Sequence, residues 1–285
     1  MNMKEYITYT IEKVEELKNP TIYFFLKNMG VSEHFIKSLR RSENSILLNG
    51  SPSNLRNTIK NGDTLSIEKE PKGSNFTEEC DGNLDIAYED DNYLVVNKPH
   101  GLACIPTRSH FSNNLGGQIV RYMHTKKQNF VLRIVNRLDK DTAGLVIVAK
   151  NTFAYNNIGK VDKTYHAICH GNILENITID KPILTEQENG INKLKRIISP
   201  DGKKSITHVF PLKNYQDFCH VKCKLETGRT HQIRVHLSSI NHPLLDDPIY
   251  SHDKNGHTFL LLKEISFNNI NLSVPFPDNW KKYIK

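Results

Sequence analysis

Apolar residues change their spacing along this chain, and the change divides it. Near the start, Ile7, Tyr9 and Ile11 alternate with polar residues, the period of a strand with one buried face. Ile22, Phe25, Leu26 and Met29 then recur at intervals that place them on one apolar face of a helix, which Gly30 ends. Ser32 is a good N-cap for a second predicted helix over 33–41, with Phe35, Ile36 and Leu39 inward and Lys37, Arg40 and Arg41 as its basic positions. Ile46-Leu47-Leu48 runs into Asn49-Gly50-Ser51-Pro52, a hairpin signal. Lys60-Asn61-Gly62-Asp63 is another turn ahead of a strand from Thr64 to Glu68. Two short helices and a small hairpin predict a compact unit over 1–70.

Residues 71–82 are polar, with Pro, Gly and Ser, and read as a linker. Beyond them, over 83–285, short apolar runs follow one another closely: Leu94 to Val96, Leu145 to Val148, Tyr165 to Cys169, Ile206 to Phe210, Val221 to Leu225 and Phe259 to Leu262. One helical pattern, Leu115 to His124, interrupts them. Closely spaced strands with few helices predict an α+β domain, mainly sheet, with an antiparallel tendency.

Composition adds limits. The chain is 38% hydrophobic and 24% charged, a globular mix. Its 285 residues suit one large domain plus a small one. A formal charge of +7 suits a polyanionic partner without requiring one. No apolar run reaches the ~20 residues of a membrane span. The acidic residues near the N-terminus and the lack of an apolar signal core argue against export. The cysteines Cys80, Cys104, Cys169, Cys219 and Cys223 are odd in number and scattered, which fits free thiols in a reducing, cytoplasmic setting. Cys219 and Cys223 flank His220, but no second ligand pair has zinc-site spacing.

Three segments set polar residues beside buried-looking strands, where catalytic groups usually sit. In the first, a turn carrying Arg137, Asp139 and Asp141 feeds straight into the apolar run from Leu145, an anchor that can hold a carboxylate still; an ordinary solvated charged turn would read the same. In the second, Arg229, His231, Gln232, Arg234 and His236 crowd one short stretch. Arginine offers a planar fork of donors for phosphate or carboxylate, and Gly228 permits a tight turn. A zinc pair at His231 and His236 lacks the acid that such spacing needs. The third, Asn97-Lys98-Pro99-His100-Gly101, is a sharp turn able to approach a ligand.

Taken together, these segments resemble the RluA family of pseudouridine synthases. Arg137-Leu138-Asp139 and Thr142-Ala143-Gly144-Leu145 match the family's aspartate motif, and Thr227 to His236 matches its arginine motif in full. Asn97-Lys98-Pro99-x-Gly101-Leu102, Lys163 to Ala167, His242-Pro243 and Asp247-Pro248-x-Tyr250 match further signatures in the right order, over about 84 to 251. Asn136, Ala143, Asp246 and Ser251 depart from the family's usual residues, as does the stretch Gly256 to Leu260. The unit over 1–70 resembles the S-four-like RNA-binding module that precedes this domain in many members, through Leu47-x-Asn49-Gly50 and Asn61-Gly62-Asp63.

The resemblance implies a mixed, mainly antiparallel central sheet with the active site in a cleft. It implies isomerisation of uridine in RNA, with Asp139 as the essential carboxylate, Tyr165 as candidate base and stacking ring, and Arg234 as the cation paired with Asp139. Arg137, Arg229, His231, Gln232, Lys98, Arg40 and Arg41 are the expected RNA contacts. The reaction is redox-neutral, so no cofactor and no metal are expected. The expected substrate is large-subunit ribosomal RNA first and transfer RNA second, handled by a monomer without a membrane. Two other readings fit part of the sequence: a non-catalytic RNA-binding or ribosome assembly protein, and a hydrolase using Asp139 with Asp141. The first has no use for Asp139, Tyr165 and Arg234 together. The second would need its carboxylates about 5–9 Å apart across a substrate.

Overall fold

The computed structural model describes residues 4–69, 78–106, 113–126, 131–188, 191–253 and 257–284. The first unit contains β1 (Tyr6–Thr10), α1 (Ile22–Asn28), α2 (Glu33–Ser38), β2 (Ile46–Leu48), β3 (Ser51–Pro52) and β4 (Thr64–Glu68). Its antiparallel sheet runs β1-β4-β2-β3. Ile22, Phe25, Leu26, Phe35, Ile36 and Leu39 cover this sheet and share a core with Leu65 and Ile67. The expected hairpin turn has Asn49 at φ 51° and Gly50 at φ 79°, the positive pair that matches strand twist in a two-residue turn. Ser32 caps α2 by accepting the Phe35 N–H at 3.3 Å. Two expectations need correcting. The helix α1 stops at Asn28, so Met29 lies at its cap and is 53% exposed. The second helix ends at Ser38, and Leu39–Arg41 tighten into a 3-10 turn, a common way to finish a helix.

The larger unit contains β5 (Ile86–Glu89), β6 (Tyr93–Lys98), α3 (Leu115–Thr125), β7 (Ala143–Ala149), α4 (Thr152–Asn157), β8 (Asp162–His170), β9 (Ile177–Asp180), β10 (Ile183–Glu188), β11 (Ile191–Ile198), β12 (Ile206–Asn214), β13 (Phe218–Leu225), α5 (Gln232–Ser238), β14 (Leu260–Phe267) and β15 (Ile270–Ser273). The main sheet runs β5-β6-β7-β14-β8-β13-β12-β9, with β15 on β14, while β10 and β11 form a hairpin of their own. The β7–β14 pair is parallel and the other named pairs are antiparallel. The sheet is thus mixed and mainly antiparallel, as expected. Leu145 to Ala149 are fully buried, which explains why β7 reads as a continuous apolar run rather than an alternating one.

Each unit has its own apolar cluster. They meet at α4, where Phe153 packs edge-to-face on Phe35 at 5.2 Å and the Ser32 N–H donates to Asn157 Oδ1 at 2.8 Å. Residues 71–77 of the expected linker lie outside the described residues. No helix among the described residues is long and apolar enough to cross a membrane.

Candidate active site

The turn before β7 is built from beneath. Asn136 uses its side chain as a surrogate peptide: Nδ2 donates to the Leu145 carbonyl at 3.1 Å and Oδ1 accepts the Ile147 N–H at 2.8 Å. This departure from the family's usual residue is therefore a buried brace. Leu138 anchors in the core, and its N–H reaches Cys104 Sγ at 3.3 Å. The Thr142 N–H closes the turn on the Asp139 carbonyl at 3.1 Å. Gly144, at φ 118°, lies where β7 meets β14; a Cβ there would overlap the Leu262 carbonyl.

Lys98 lies under the same turn. It is fully buried, and its Nζ donates to the carbonyls of Pro99 at 2.9 Å, Leu102 at 2.8 Å and Lys140 at 3.0 Å. Burial pushes its ammonium down to about 8, with Cys104, Asp141 and Asp139 opposing that shift. Its expected role in RNA contact is corrected: the ammonium ties the Asn97–Leu102 loop to the aspartate turn.

Asp139 is half-buried at the wall of a cavity of about 800 Å³, which Arg137, Tyr165, Arg229, His231 and Arg234 also line. Its Oδ2 accepts the His231 backbone N–H at 3.3 Å. Burial raises the Asp139 carboxyl above its ordinary value, while Arg234, the His231 N–H and Lys98 pull it back and Asp141 adds to the rise. Desolvation outweighs the pull of the neighbouring cation here.

Arg234 sits 1% exposed on α5, and its fork grips Asp247 rather than Asp139: Nε to Oδ2 and Nη2 to Oδ1, both at 2.7 Å. The pairing expected between Arg234 and Asp139 is corrected accordingly. Asp247 presents both oxygens to the fork, a bidentate geometry that a single charge–charge approach does not match. Arg234 still contributes the largest favourable charge at Asp139, through space. Asp247, also fully buried, accepts the N–H groups of Ile249 at 3.0 Å and Tyr250 at 3.1 Å. Tyr165 projects from β8 with 8% exposure, and its hydroxyl has no protein partner among the described residues. Burial and then the Asp139 charge push the phenol up, so it stands neutral.

The remaining expected RNA contacts divide. Arg137 and Arg229 are exposed at the cleft, Arg229 also donating to the Lys204 carbonyl at 3.3 Å. Gln232 is 2% exposed and braces the structure instead: Nε2 donates to the Ile206 carbonyl at 2.9 Å, and Oε1 accepts the Arg229 N–H at 3.0 Å. The His231 ring is buried against Tyr250. His236 has both ring nitrogens engaged, with Thr207 Oγ1 and the Lys181 carbonyl, each at 2.9 Å. Arg40 is exposed on the first unit, remote in sequence from the cleft; the Arg41 side chain lies outside the described residues. Gly228 is not the residue that makes the turn into α5. His231 makes it, at φ 58°. Asp247 and Tyr250 lie within a matching signature that gives neither of them a role, and their Asp-Pro-x-Tyr spacing is the signal available in the sequence. Asp246, another departure, sits at φ 56°, a conformation that glycine adopts freely and aspartate tolerates.

The fold agrees with solved pseudouridylate synthase domains. Human RNA pseudouridylate synthase domain containing 1 superposes with a TM-score of 0.56 at 25% identity, covering 75% of this chain and 89% of that one. Residues 92–239 match the family described as RNA pseudouridylate synthase. A Bacillus subtilis protein described as uncharacterized RNA pseudouridine synthase YjbO is 31% identical over 283 residues, 93% of this chain and 98% of its own length. Ribosomal large subunit pseudouridine synthase D of Buchnera aphidicola is 36% identical over 217 residues, 73% of this chain and 68% of its own. The chain belongs to the RNA pseudouridylate synthase family, within its RluA-like branch. It is thus an isomerase whose substrate is RNA.

Proposed function

We propose that this protein converts specific uridines of large-subunit ribosomal RNA to pseudouridine, with Asp139 as the essential carboxylate. The observation that carries the reading is the Asp139 carboxylate at the wall of a cleft, backed by two buried cations and flanked by a phenol without a protein partner among the described residues. The substrate choice is supported by relatives named for the large ribosomal subunit.

In the reaction the N1–C1′ bond of uridine breaks, the uracil turns, and a C5–C1′ bond forms. C5 loses its proton and N1 gains one, so the composition is unchanged. Asp139 must be ionised to act on the sugar, either at its anomeric carbon or at its 2′-proton. Its raised carboxyl is kept usable by Arg234, the His231 N–H and Lys98. Tyr165 stacks on the uracil. Its neutral phenol must pass on its own proton if it is to take the one from C5. A stacked uridine must be extruded into the cleft, at a cost of about a few kcal/mol. Arg137, exposed at the rim, is placed to fill the vacated space or hold a phosphate. The first unit serves as an S-four-like RNA-binding module, with Arg40 among its contacts.

The test is to map pseudouridine in total RNA from cells with and without the gene. The expected result is a large-subunit ribosomal site that vanishes and returns with wild type but not with Asp139→Asn. Full restoration by Asp139→Asn would remove the catalytic assignment, and a site found only in transfer RNA would replace the substrate.

A further inference from the structure

His231 holds a backbone conformation that its place in the chain does not supply for free. It stands immediately before α5 at φ 58° and ψ 18°, the left-handed region that side-chain-bearing residues mostly avoid. The conformation aims its N–H at Asp139 Oδ2, 3.3 Å away. His231 Nδ1 lies 3.1 Å from the Tyr250 hydroxyl, with the two rings edge-to-face at 5.7 Å. The same hydroxyl lies 2.8 Å from the Arg196 N and 3.2 Å from the Arg196 O. One assignment uses all three contacts: Nδ1–H and the Arg196 N–H donate to the hydroxyl oxygen, and the hydroxyl donates to the Arg196 carbonyl. Arg196 belongs to β11, in the hairpin that among the described residues pairs with no strand of the main sheet.

We infer that His231 and Tyr250 are positioning residues that connect the β10–β11 hairpin to the catalytic carboxylate. The path runs from the Arg196 backbone through the Tyr250 hydroxyl and the His231 ring to the His231 N–H on Asp139. Its effect is to hold one hydrogen-bond donor on the ionised form of that carboxylate. A displaced hairpin releases the hydroxyl, the ring and then the donor. This inference rests on reading Asp139 as the essential carboxylate.

The experiment measures single-turnover rate against pH, and RNA affinity, for wild type, Tyr250→Phe, His231→Asn, His231→Val and Asp139→Asn. Tyr250→Phe keeps the ring and removes the hydroxyl. Its rate is expected to fall by about tenfold, the scale of one hydrogen bond to a charged group, with RNA affinity little changed. Loss of a donor to the ionised carboxylate also moves the acid limb of its pH profile to higher pH, which a merely structural role would not do. His231→Asn, able to hold the left-handed backbone, should retain more activity than the β-branched His231→Val. A wild-type pH profile in Tyr250→Phe, or equal rates for the two His231 variants, overturns the inference. If His231→Val does not fold, the Tyr250→Phe profile decides alone. An active Asp139→Asn would overturn the reading of Asp139 and this inference with it. An inactive Asp139→Asn beside an unmoved Tyr250→Phe profile overturns the inference only.

Discussion

Arg234 and Arg137 border one cleft under opposite conditions. Arg234 is enclosed, its fork taken up by Asp247, while Arg137 stands in solvent at the rim. Lys98 belongs with the first and Arg229 with the second. The floor of the cleft therefore uses cations to hold backbone and set the field at Asp139, and the rim leaves its cations exposed to solvent. Membership of one motif does not imply one role. Arg229 and Arg234 come from a single ten-residue signature and end on opposite sides of this division.

The contrast can be broken most severely at Asp247. Asp247→Ala leaves the Arg234 guanidinium buried without its partner, and loss of one member of such a pair costs about 3–5 kcal/mol. Denaturant titration should show a loss of that size, and a cost near zero would mean that the floor is wetter than its burial says. Lys98→Met comes next. It leaves three carbonyls without their donor in a site of matching shape. The expected loss is about 2–3 kcal/mol, read as a lower melting temperature, together with slower turnover as the aspartate turn loosens.

A smaller effect lies across the sheet. Tyr165 faces the cleft, so its neighbour His166 faces away. His166 meets His220 at 2.9 Å, both rings beside Phe276. Burial drives both down from 6.5 to about 4, and for His166 the neighbouring His220, Lys263 and Lys222 add to the shift. The folded state keeps these rings neutral where the unfolded chain protonates them. Their stabilising contribution is complete above pH 6.5 and is lost as pH falls toward 4. His220→Asn should flatten the decline in melting temperature over that interval, and an unchanged slope would assign the decline to other groups.

Arg137→Ala has the smallest effect on stability, within about 0.5 kcal/mol for an exposed side chain. It should slow turnover on structured RNA more than on an unstructured strand, in a side-by-side assay. Equal losses would remove its part in extrusion and leave it a plain phosphate contact.

Much of this is legible in the residues themselves. The alternation in β1, the cap at Ser32 and the Asn49-Gly50 turn are local, and local chemistry decides them. The order of the motifs locates Asp139, Tyr165 and Arg234, which the fold brings to one cavity. What the residues do not state is depth. Lys98 looks like a surface cation until carbonyls from Pro99, Leu102 and the distant Lys140 converge on it. Arg234 reads as the partner of Asp139 because nothing local says that Asp247 arrives first with both oxygens. His231 reads as a basic contact, although its contribution to the carboxylate comes from its backbone.

The position of β14 has a consequence for synthesis. This strand comes late in the chain yet sits in the middle of the sheet, between β7 and β8. Without this strand the sheet would divide into two half-sheets, each with an open edge of unpaired amides, and the aspartate turn would lack the parallel neighbour against which Gly144 closes. Such edges invite mispairing, so the growing chain depends on prompt arrival of that segment. The wall that carries the aspartate turn is thereby completed only once β14 has emerged.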